Sequence, residues 1–220
     1  MDDKIENNER FSLELETLAI KEFISIRSGY DQNSWHRTNL KEVGIIICGK
    51  TPTTKDESLF GFDMPFIKIP DMQNQLFIIN STDKLSRKGA LSQKGKTLPP
   101  HSLIVSCIAT VGLVSITAAE SQTNQQINAL IPNNSNSLYY LFILLKSMND
   151  ELKILGSGGS ATLNISTSLF GSIEIDLPPQ KELVAFHEKT SPLFEKIKSN
   201  LLQNKKLKEM KCLYLKKYFG

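Results

Sequence analysis

The last part of the chain, a strand, two prolines and a long helical pattern, limits the possible folds more than any other feature. Ile173, Ile175 and Leu177 alternate with polar residues, as expected for a half-buried strand. Pro178 and Pro179 then end the strand, because proline cannot donate to a sheet ladder. Beyond them, apolar residues recur at helical spacing in a narrow stripe, which favours packing against one or two partner helices. The sequence therefore predicts a globule with a stalk, meaning here the helical segments at the two ends of the chain.

A related helical pattern begins the chain. Moving the sequence by 192 residues places Ile5 on Ile197 and Asn8 on Asn200. The match favours an internal repeat, although two unrelated amphipathic helices can also match at this level. The residues predicted to pack helix against helix, or subunit against subunit, are Leu15, Leu18, Leu193, Ile197, Leu201, Leu207, Met210 and Tyr214.

The two ends also differ in charge. Residues 181–217 contain ten lysines and four glutamates, whereas residues 1–22 contain more carboxylates than cations. Opposite charges on two helices favour their pairing, either within one chain or between two chains. Two solvated helix faces would give the same composition.

Composition limits the class of protein. A chain of 220 residues with 40% hydrophobic residues can form one domain with flanking helices. The sequence contains no run of about 18 apolar residues, so no membrane span is expected. The acidic N-terminus does not resemble a signal peptide. Cys48, Cys107 and Cys212 are far apart and match no zinc spacing, so reduced cysteines in a cytoplasmic protein are expected.

The middle of the chain mixes strand and helix patterns, which predicts the α+β class. We expect strands near residues 45–48, 66–69, 103–108, 111–116 and 128–132, and one internal helix over residues 137–153. A glycine-rich polar segment follows at residues 156–164. The predicted boundaries are a helix over 1–28, a globule over 29–180 and a helix over 181–220.

Motifs of catalysis are missing from the sequence. It has no glycine-rich phosphate loop ending in Gly-Lys-Ser or Gly-Lys-Thr, no nucleophile elbow and no metal-binding helix. This favours a binding protein. The alternatives are a stand-alone metal-dependent nuclease or methyltransferase using Asp71 and Glu209, and a scaffold whose stalk pairs proteins without touching DNA.

Short phrases along nearly the whole chain carry a family resemblance. They are Leu40–Val43, Gly49–Pro52, Pro65–Ile69 with Asp71, Ser106 with Ala109–Gly112, Asn124–Gln125, Asn164–Ser166 and Ile173–Gln180. In this order they resemble one repeat of the DNA specificity subunit of Type I restriction-modification enzymes. Two positions differ from the family pattern: Ile108 stands where arginine is frequent, and Ala161 interrupts a Gly-Ser-Thr phrase.

The resemblance implies a non-catalytic subunit whose globule, a target recognition domain, reads double-stranded DNA in the major groove. The helices would space it from a second domain. Modification subunits would supply methyl transfer from S-adenosylmethionine, and a restriction motor subunit would supply ATP- and Mg-dependent cleavage, so no cofactor or metal is expected in this chain. Whole subunits of the family usually carry two such globules, so the chain is either a half-length subunit that forms a homodimer through its helices or a fragment.

Residue chemistry within the predicted loops suggests how DNA would be bound. The predicted phosphate contacts are Lys55, Lys68, Arg87, Lys88, Lys94 and Lys96. The predicted base-reading amides are Gln73, Asn74, Gln122, Asn124, Gln125 and Gln126. Ser160, Thr162 and Asn164 are expected either to shape a turn or to contact DNA.

Overall fold

The computed structural model describes residues 1–29, 34–158 and 162–219. Its helices are α1 (Asp2–Gly29), α2 (Leu40–Val43), α3 (Ile69–Met72), α4 (Arg87–Ser92), α5 (Leu138–Ser147), α6 (Asn149–Gly156), α7 (Thr167–Gly171) and α8 (Gln180–Phe219). Its strands are β1 (His36–Asn39), β2 (Gly44–Cys48), β3 (Phe60–Ile67), β4 (Phe77–Ile78), β5 (Asp83–Leu85), β6 (Leu103–Ser106), β7 (Val114–Thr117), β8 (Gln122–Thr123), β9 (Ile127–Pro132) and β10 (Glu174–Leu177). A mixed α/β globule thus lies between two long terminal helices, which confirms the predicted fold class. Within these residues, no helix is both long and apolar enough to cross a membrane.

A five-stranded sheet in the order β2-β9-β6-β7-β4 forms the centre of the globule. Along β6, Leu103 and Val105 join one hydrophobic core, whereas Ile104 joins a second, because successive side chains of a strand point to opposite faces. The stalk and α5 cover the first face, and a smaller lobe covers the other. Burial on both faces explains why the sequence of β6 is continuously apolar.

The smaller lobe contains a three-stranded sheet in the order β5-β3-β8. We define the basic lobe as β3, β5, β8, α4 and the helical turn Lys94–Lys96. The predicted strand at residues 66–69 is wrong at its end, since β3 stops at Ile67 and α3 starts at Ile69. The cause is local: a carboxylate oxygen of Asp71 accepts the N–H of Lys68 at 2.9 Å and turns the chain.

A two-stranded sheet closes the globule where the stalk enters it. β1 pairs antiparallel with β10, and His36 lies opposite Leu177. Because β1 follows α1 and β10 precedes α8, this pairing holds the two ends of the globule together beside the stalk.

The internal helix differs from its prediction. Instead of one helix over residues 137–153, α5 and α6 meet at Met148. The expected single apolar side is also wrong for α5, because all residues from Leu138 to Leu145 are buried. A helix enclosed by a sheet and by other helices is apolar all round, and α5 lies between the sheet and the stalk.

The stalk consists of α1 and α8, which lie antiparallel in one chain. Ion pairs join Glu22 to Lys189 at 3.0 Å and Asp2 to Lys211 at 2.7 Å, so the acidic and basic ends pair within the chain. Near the globule, Phe194 is fully buried and its ring stacks on Tyr139 with 4.1 Å between centroids.

Farther from the globule, the contact between α1 and α8 becomes polar. Asn8 Nδ2 donates to Asn204 Oδ1 at 2.7 Å, and Asn200 Nδ2 donates to Ser12 Oγ at 3.2 Å. A shift of 192 residues carries Asn8 onto Asn200 and Ser12 onto Asn204, so these hydrogen bonds are counterparts. The reciprocity agrees with the internal repeat, which stays a prediction.

The predicted helix-packing residues fall into two groups. At least half-buried are Leu15, Leu193, Ile197, Leu201 and Leu207. Largely exposed are Leu18, Met210 and Tyr214. Packing of the second group would require another subunit. The sequence stripe also missed Phe186 and Phe194, which are fully buried beside α5.

Candidate nucleic-acid interface

The basic lobe carries most of the predicted phosphate contacts. Exposed among them are Lys55, Arg87, Lys88 and Lys94, while Lys68 and Lys96 are half-buried. Two of the six are engaged by carboxylates: Lys68 pairs with Asp83 at 2.5 Å and Lys88 with Asp56 at 2.9 Å. Hydrogen bonds from Ser58 and from Lys88 lower the pKa of Asp56, so this carboxylate keeps its charge beside the lysine. The side-chain cations of Lys55, Arg87, Lys94 and Lys96 make no ion pair with a carboxylate among the described residues.

The amide loop, defined as residues 122–126, begins at β8 of the lobe and continues beyond it. Its first member faces inward: Gln122 is fully buried, donates to the carbonyl of Ala90 at 2.9 Å and accepts from Gln93 Nε2 at 2.8 Å. These bonds brace α4 against the loop and leave no free amide edge for a base. The base contact predicted for Gln122 does not fit this geometry, because the amide satisfies buried backbone groups that would otherwise be unpaired.

The outward amides of the loop are fewer than the sequence suggests. Asn124 is buried and its side chain bonds to Gln126 at 2.9 Å. Gln125 is exposed, and its Oε1 accepts from Thr51 at 2.6 Å. Gln125 and the half-buried Gln126 therefore present the accessible amides, and their contact with DNA stays a prediction.

Hydrogen bonds join this loop to its neighbours and make one continuous surface. Gln93 Nε2 donates to the carbonyl of Lys50 at 2.8 Å, and the N–H of Lys50 donates to the carbonyl of Thr123 at 2.9 Å. The segment after β2 is thereby held between α4 and the amide loop. No local sequence signal marks Gln93 and Thr51, because the partner of each lies tens of positions away.

The segment before α7 adjoins the same surface. The N–H of Cys107 donates to the carbonyl of Gln126 at 2.8 Å, and the carbonyl of Cys107 accepts from the N–H of Ile165 at 2.8 Å. Thr162 and Asn164 are exposed there. The structure thus brings Asn164, which pairs with Ile108, to the edge of the amide loop, with Thr162 in the same segment, whereas Ser160 lies outside the described residues.

Gln73 and Asn74 lie elsewhere, although both are exposed. Asn74 lines a groove of about 510 Å³ between the globule and the stalk, opposite Leu13 and Leu201. Its backbone has a φ of 57°, in the left-handed region that asparagine tolerates. These two amides are therefore not grouped with the amide loop.

A catalytic centre does not emerge from the part of the chain that the structure describes. No group of three or more His, Cys, Asp or Glu side chains could hold a metal ion there. The carboxylate of Asp71 accepts from the N–H groups of Lys68 and Thr82, both at 2.9 Å. Glu209 is exposed on α8, so the geometry gives no support to a nuclease built on these two residues.

Comparison with known proteins gives a consistent set of similarities. The family model described as Type I restriction modification DNA specificity domain matches residues 32–215. The HindI specificity subunit of Haemophilus influenzae is 50% identical over 183 residues, which cover 82% of this chain and 40% of that protein. The MjaIX specificity subunit of Methanocaldococcus jannaschii is 27% identical over 201 residues, covering 83% of this chain and 46% of that one. The chain thus spans less than half the length of these two curated relatives.

Solved structures share the fold. The crystal structure of the Type I restriction-modification system S subunit from M. genitalium aligns with a TM-score of 0.71 at 15% identity, covering all of this chain and 57% of that one. The HsdS subunit from Thermoanaerobacter tengcongensis aligns with a TM-score of 0.57 at 19% identity, covering 97% of this chain and 53% of that one.

Proposed function

Because the chain belongs to the family of Type I restriction-modification DNA specificity domains, we propose that it supplies one target recognition domain, over residues 29–180, to a restriction-modification complex. The observation that carries the proposal is the continuous surface formed by the basic lobe and the amide loop. Cations that make no ion pair within the part of the chain that the structure describes lie there beside the accessible amides of Gln125 and Gln126. Such a surface matches duplex DNA, whose phosphates flank hydrogen-bonding base edges in the grooves.

The two kinds of side chain have separate tasks in this proposal. Lys55, Arg87, Lys94 and Lys96 contact phosphates, which fixes the position of the globule without reading sequence. Gln125 and Gln126 offer amides, the side-chain type that pairs with adenine in the major groove. Asn164 lies at the edge of the same surface and can add a further contact.

In this proposal the partner subunits supply the catalytic activities, and this chain supplies recognition of the target DNA sequence. Modification subunits that bind S-adenosylmethionine dock on the globule and stalk, and a motor subunit adds ATP- and Mg-dependent cleavage, all in the cytoplasm. The stalk is open to such docking because exposed apolar side chains such as Leu13, Leu18 and Ile24 remain on α1.

A second recognition domain, which reads the other part of the target DNA sequence, can be supplied in one of two ways. A homodimer would bring a second copy through the stalk, where α8 also exposes Met210, Leu213 and Tyr214. Alternatively, the second domain belongs to a longer chain of which this is a part. The mass in solution distinguishes them: we expect a dimer of about twice 24.7 kDa for a half-length subunit, whereas a monomer favours the longer chain.

Selection from a random pool of DNA duplexes tests the proposal. The full chain, co-purified with its modification subunit, is expected to enrich one sequence. Lys94→Ala should weaken binding to enriched and random duplexes alike and lower the slope of log affinity against log salt by about 0.9. Gln125→Ala should weaken binding to the enriched duplex only. Failure to enrich any sequence would contradict the proposal.

The competing catalytic function has its own test. The isolated chain is incubated with DNA and Mg, or with DNA and S-adenosylmethionine. We expect neither cleavage nor methyl transfer. Activity that is lost in Asp71→Asn would favour the nuclease or methyltransferase alternative.

A further inference from the structure

Phe62 exposes 91% of its surface, more than any other large apolar side chain that the structure describes. A single exposed apolar residue is common and carries little information. The setting of Phe62 is less common, because the ring stands at the tip of an anchored bulge within the basic lobe.

The bulge interrupts the pairing of β3 with β5. Phe60 and Met64 both lie opposite Leu85, so residues 61–63 leave the ladder between them. Extra residues of this kind bend a strand and redirect its side chains. Here they direct Phe62 and Asp63 into solvent.

Both sides of the tip contact neighbouring segments of the same chain. A Cβ added to Gly61 would lie 3.1 Å from Ser86 Cβ, so the backbones approach as closely as glycine permits. On the other side, Asp63 Oδ2 accepts the N–H of Arg87 at 2.8 Å. Gly89 adds to this anchor, because a Cβ there would meet the carbonyl oxygen of Leu59 at 1.9 Å. The backbone that carries the ring is therefore fixed before any partner binds, which reduces the entropy lost on binding.

The two segments that form the bulge and its anchor carry an excess of positive charge. Residues 55–68 and 83–96 together contain seven cationic and four carboxylate side chains. Asp56 and Asp83 are paired with lysines, Asp63 accepts a backbone N–H, and Glu57 is exposed with no ion pair to any described residue. Lys55, Lys84, Arg87, Lys94 and Lys96 make no ion pair within the described ranges. An exposed apolar ring on a lobe with more cations than carboxylates fits a partner with apolar faces between negative charges.

We propose that Phe62 is a wedge that enters a groove of the DNA and inserts its ring at one base step. This inference rests on the proposed function, since it assigns Phe62 to the same DNA-binding surface. Apolar side chains inserted between base pairs unstack them and kink the duplex. The cost of unstacking depends on the step, being lowest at pyrimidine–purine steps. Phe62 thus adds specificity at a position where no hydrogen bond reads a base.

The test uses the duplex enriched by the full chain with its modification subunit. 2-Aminopurine replaces adenine at successive positions, because its fluorescence rises when stacking is lost. With the natural chain we expect a rise at one step. Phe62→Ala should abolish that rise and weaken binding about five- to hundredfold, with an unchanged salt slope because the phosphate contacts remain.

Two variants serve as controls. Phe62→Leu keeps an apolar side chain but loses the ring face, so it should restore binding only in part. Leu91→Ala removes another exposed apolar side chain of the same lobe, 60% exposed on α4, and should bind as the natural chain does. Since Phe62 is exposed, Phe62→Ala should unfold at the same denaturant concentration as the natural chain, which separates lost binding from lost folding.

Each other outcome overturns the assignment. Equal DNA affinity in Phe62→Ala, or an equal loss in Leu91→Ala, would show that the ring is not a wedge, while the proposed function stands. Weaker assembly with the modification subunit at unchanged DNA affinity would make the ring a protein contact instead. A natural chain that enriches no duplex would overturn the proposed function, and this inference with it.

Discussion

The two halves of the stalk are held together by different kinds of contact. The proximal half, residues 15–29 with 180–197, buries aromatic rings against α5, and Phe194 lies between Tyr139 and Phe142 with centroid distances of 4.1 and 5.7 Å. The distal half, residues 2–12 with 200–211, buries the amides of Asn8, Asn200 and Asn204 instead.

The two kinds of contact have different consequences, one for the stability of the stalk and the other for the alignment of its two helices. Apolar rings gain free energy from burial, and this gain does not depend on the direction of any single contact. Buried amides must find partners at hydrogen-bond distance, so they favour one alignment of two helices at some cost in stability. We infer that the proximal half fixes the globule to the stalk and that the distal half sets the alignment of α1 with α8.

The largest expected effect comes from the proximal half. Phe194→Ala removes a fully buried ring and should lower the free energy of unfolding by about 3–5 kcal/mol. Leu202→Ala, at a position 43% exposed on the same helix, is the matched control and should change it little. Urea denaturation measures both. A loss below about 1 kcal/mol for Phe194→Ala would mean that the rings do not hold the stalk.

A smaller effect is expected in the distal half. Asn204→Ala leaves Asn8 Nδ2 with fewer acceptors and removes the side-chain donor to the carbonyl of Ile5, so the free energy of unfolding should fall by about 1–3 kcal/mol. Lys206→Ala, at an exposed neighbouring position, should have almost no effect. Adding Asn8→Ala to Asn204→Ala should cost less than the sum of the single changes, because the two amides share one hydrogen bond. Strict additivity would exclude a coupled polar centre.

The smallest effect is expected at the far end, where Asp2 meets Lys211. The hydrogen bond and charge of Lys211 lower the pKa of Asp2 below its ordinary 3.8. A carboxyl group whose pKa falls on folding stabilises the folded state above its unfolded pKa, and this contribution disappears as pH drops through the folded pKa. Asp2→Asn should therefore lower Tm slightly at pH 7, and the difference should vanish in acid. Asp3→Asn is the control. An equal change in its Tm would show that the ion pair between Asp2 and Lys211 has no specific effect on stability.

Phe194 and Asn8 also show how far the sequence could predict the stalk. Helical spacing and opposite charges were enough to predict two long helices able to pair. They could not decide between pairing within a chain and pairing between chains, because both satisfy the same periodicity. The narrow stripe missed Phe194, since its burial depends on α5, an element tens of residues away.

The candidate interface also contains residues whose position the sequence predicts and residues whose position it does not. The exposed cations Lys55, Arg87 and Lys94 were predictable, because charged residues in polar segments stay at the surface. Gln122 was assigned to DNA on residue type, yet its amide faces α4. Amides serve equally well inside and outside a protein, so their type alone does not tell which way they point.

The sequence by itself determined the α+β class, the helical ends with their opposite charges, and the short phrases that resemble the family. These features reside in local periodicity and residue order. Only the tertiary structure decided that α1 and α8 pair antiparallel in one chain, that Gln122 turns inward and that Phe62 projects from a bulge. The physical reason is that burial and hydrogen bonding depend on partners far along the chain, as with Asn8 and Asn204, which are 196 positions apart. No local pattern specifies which of the possible partners a side chain will meet.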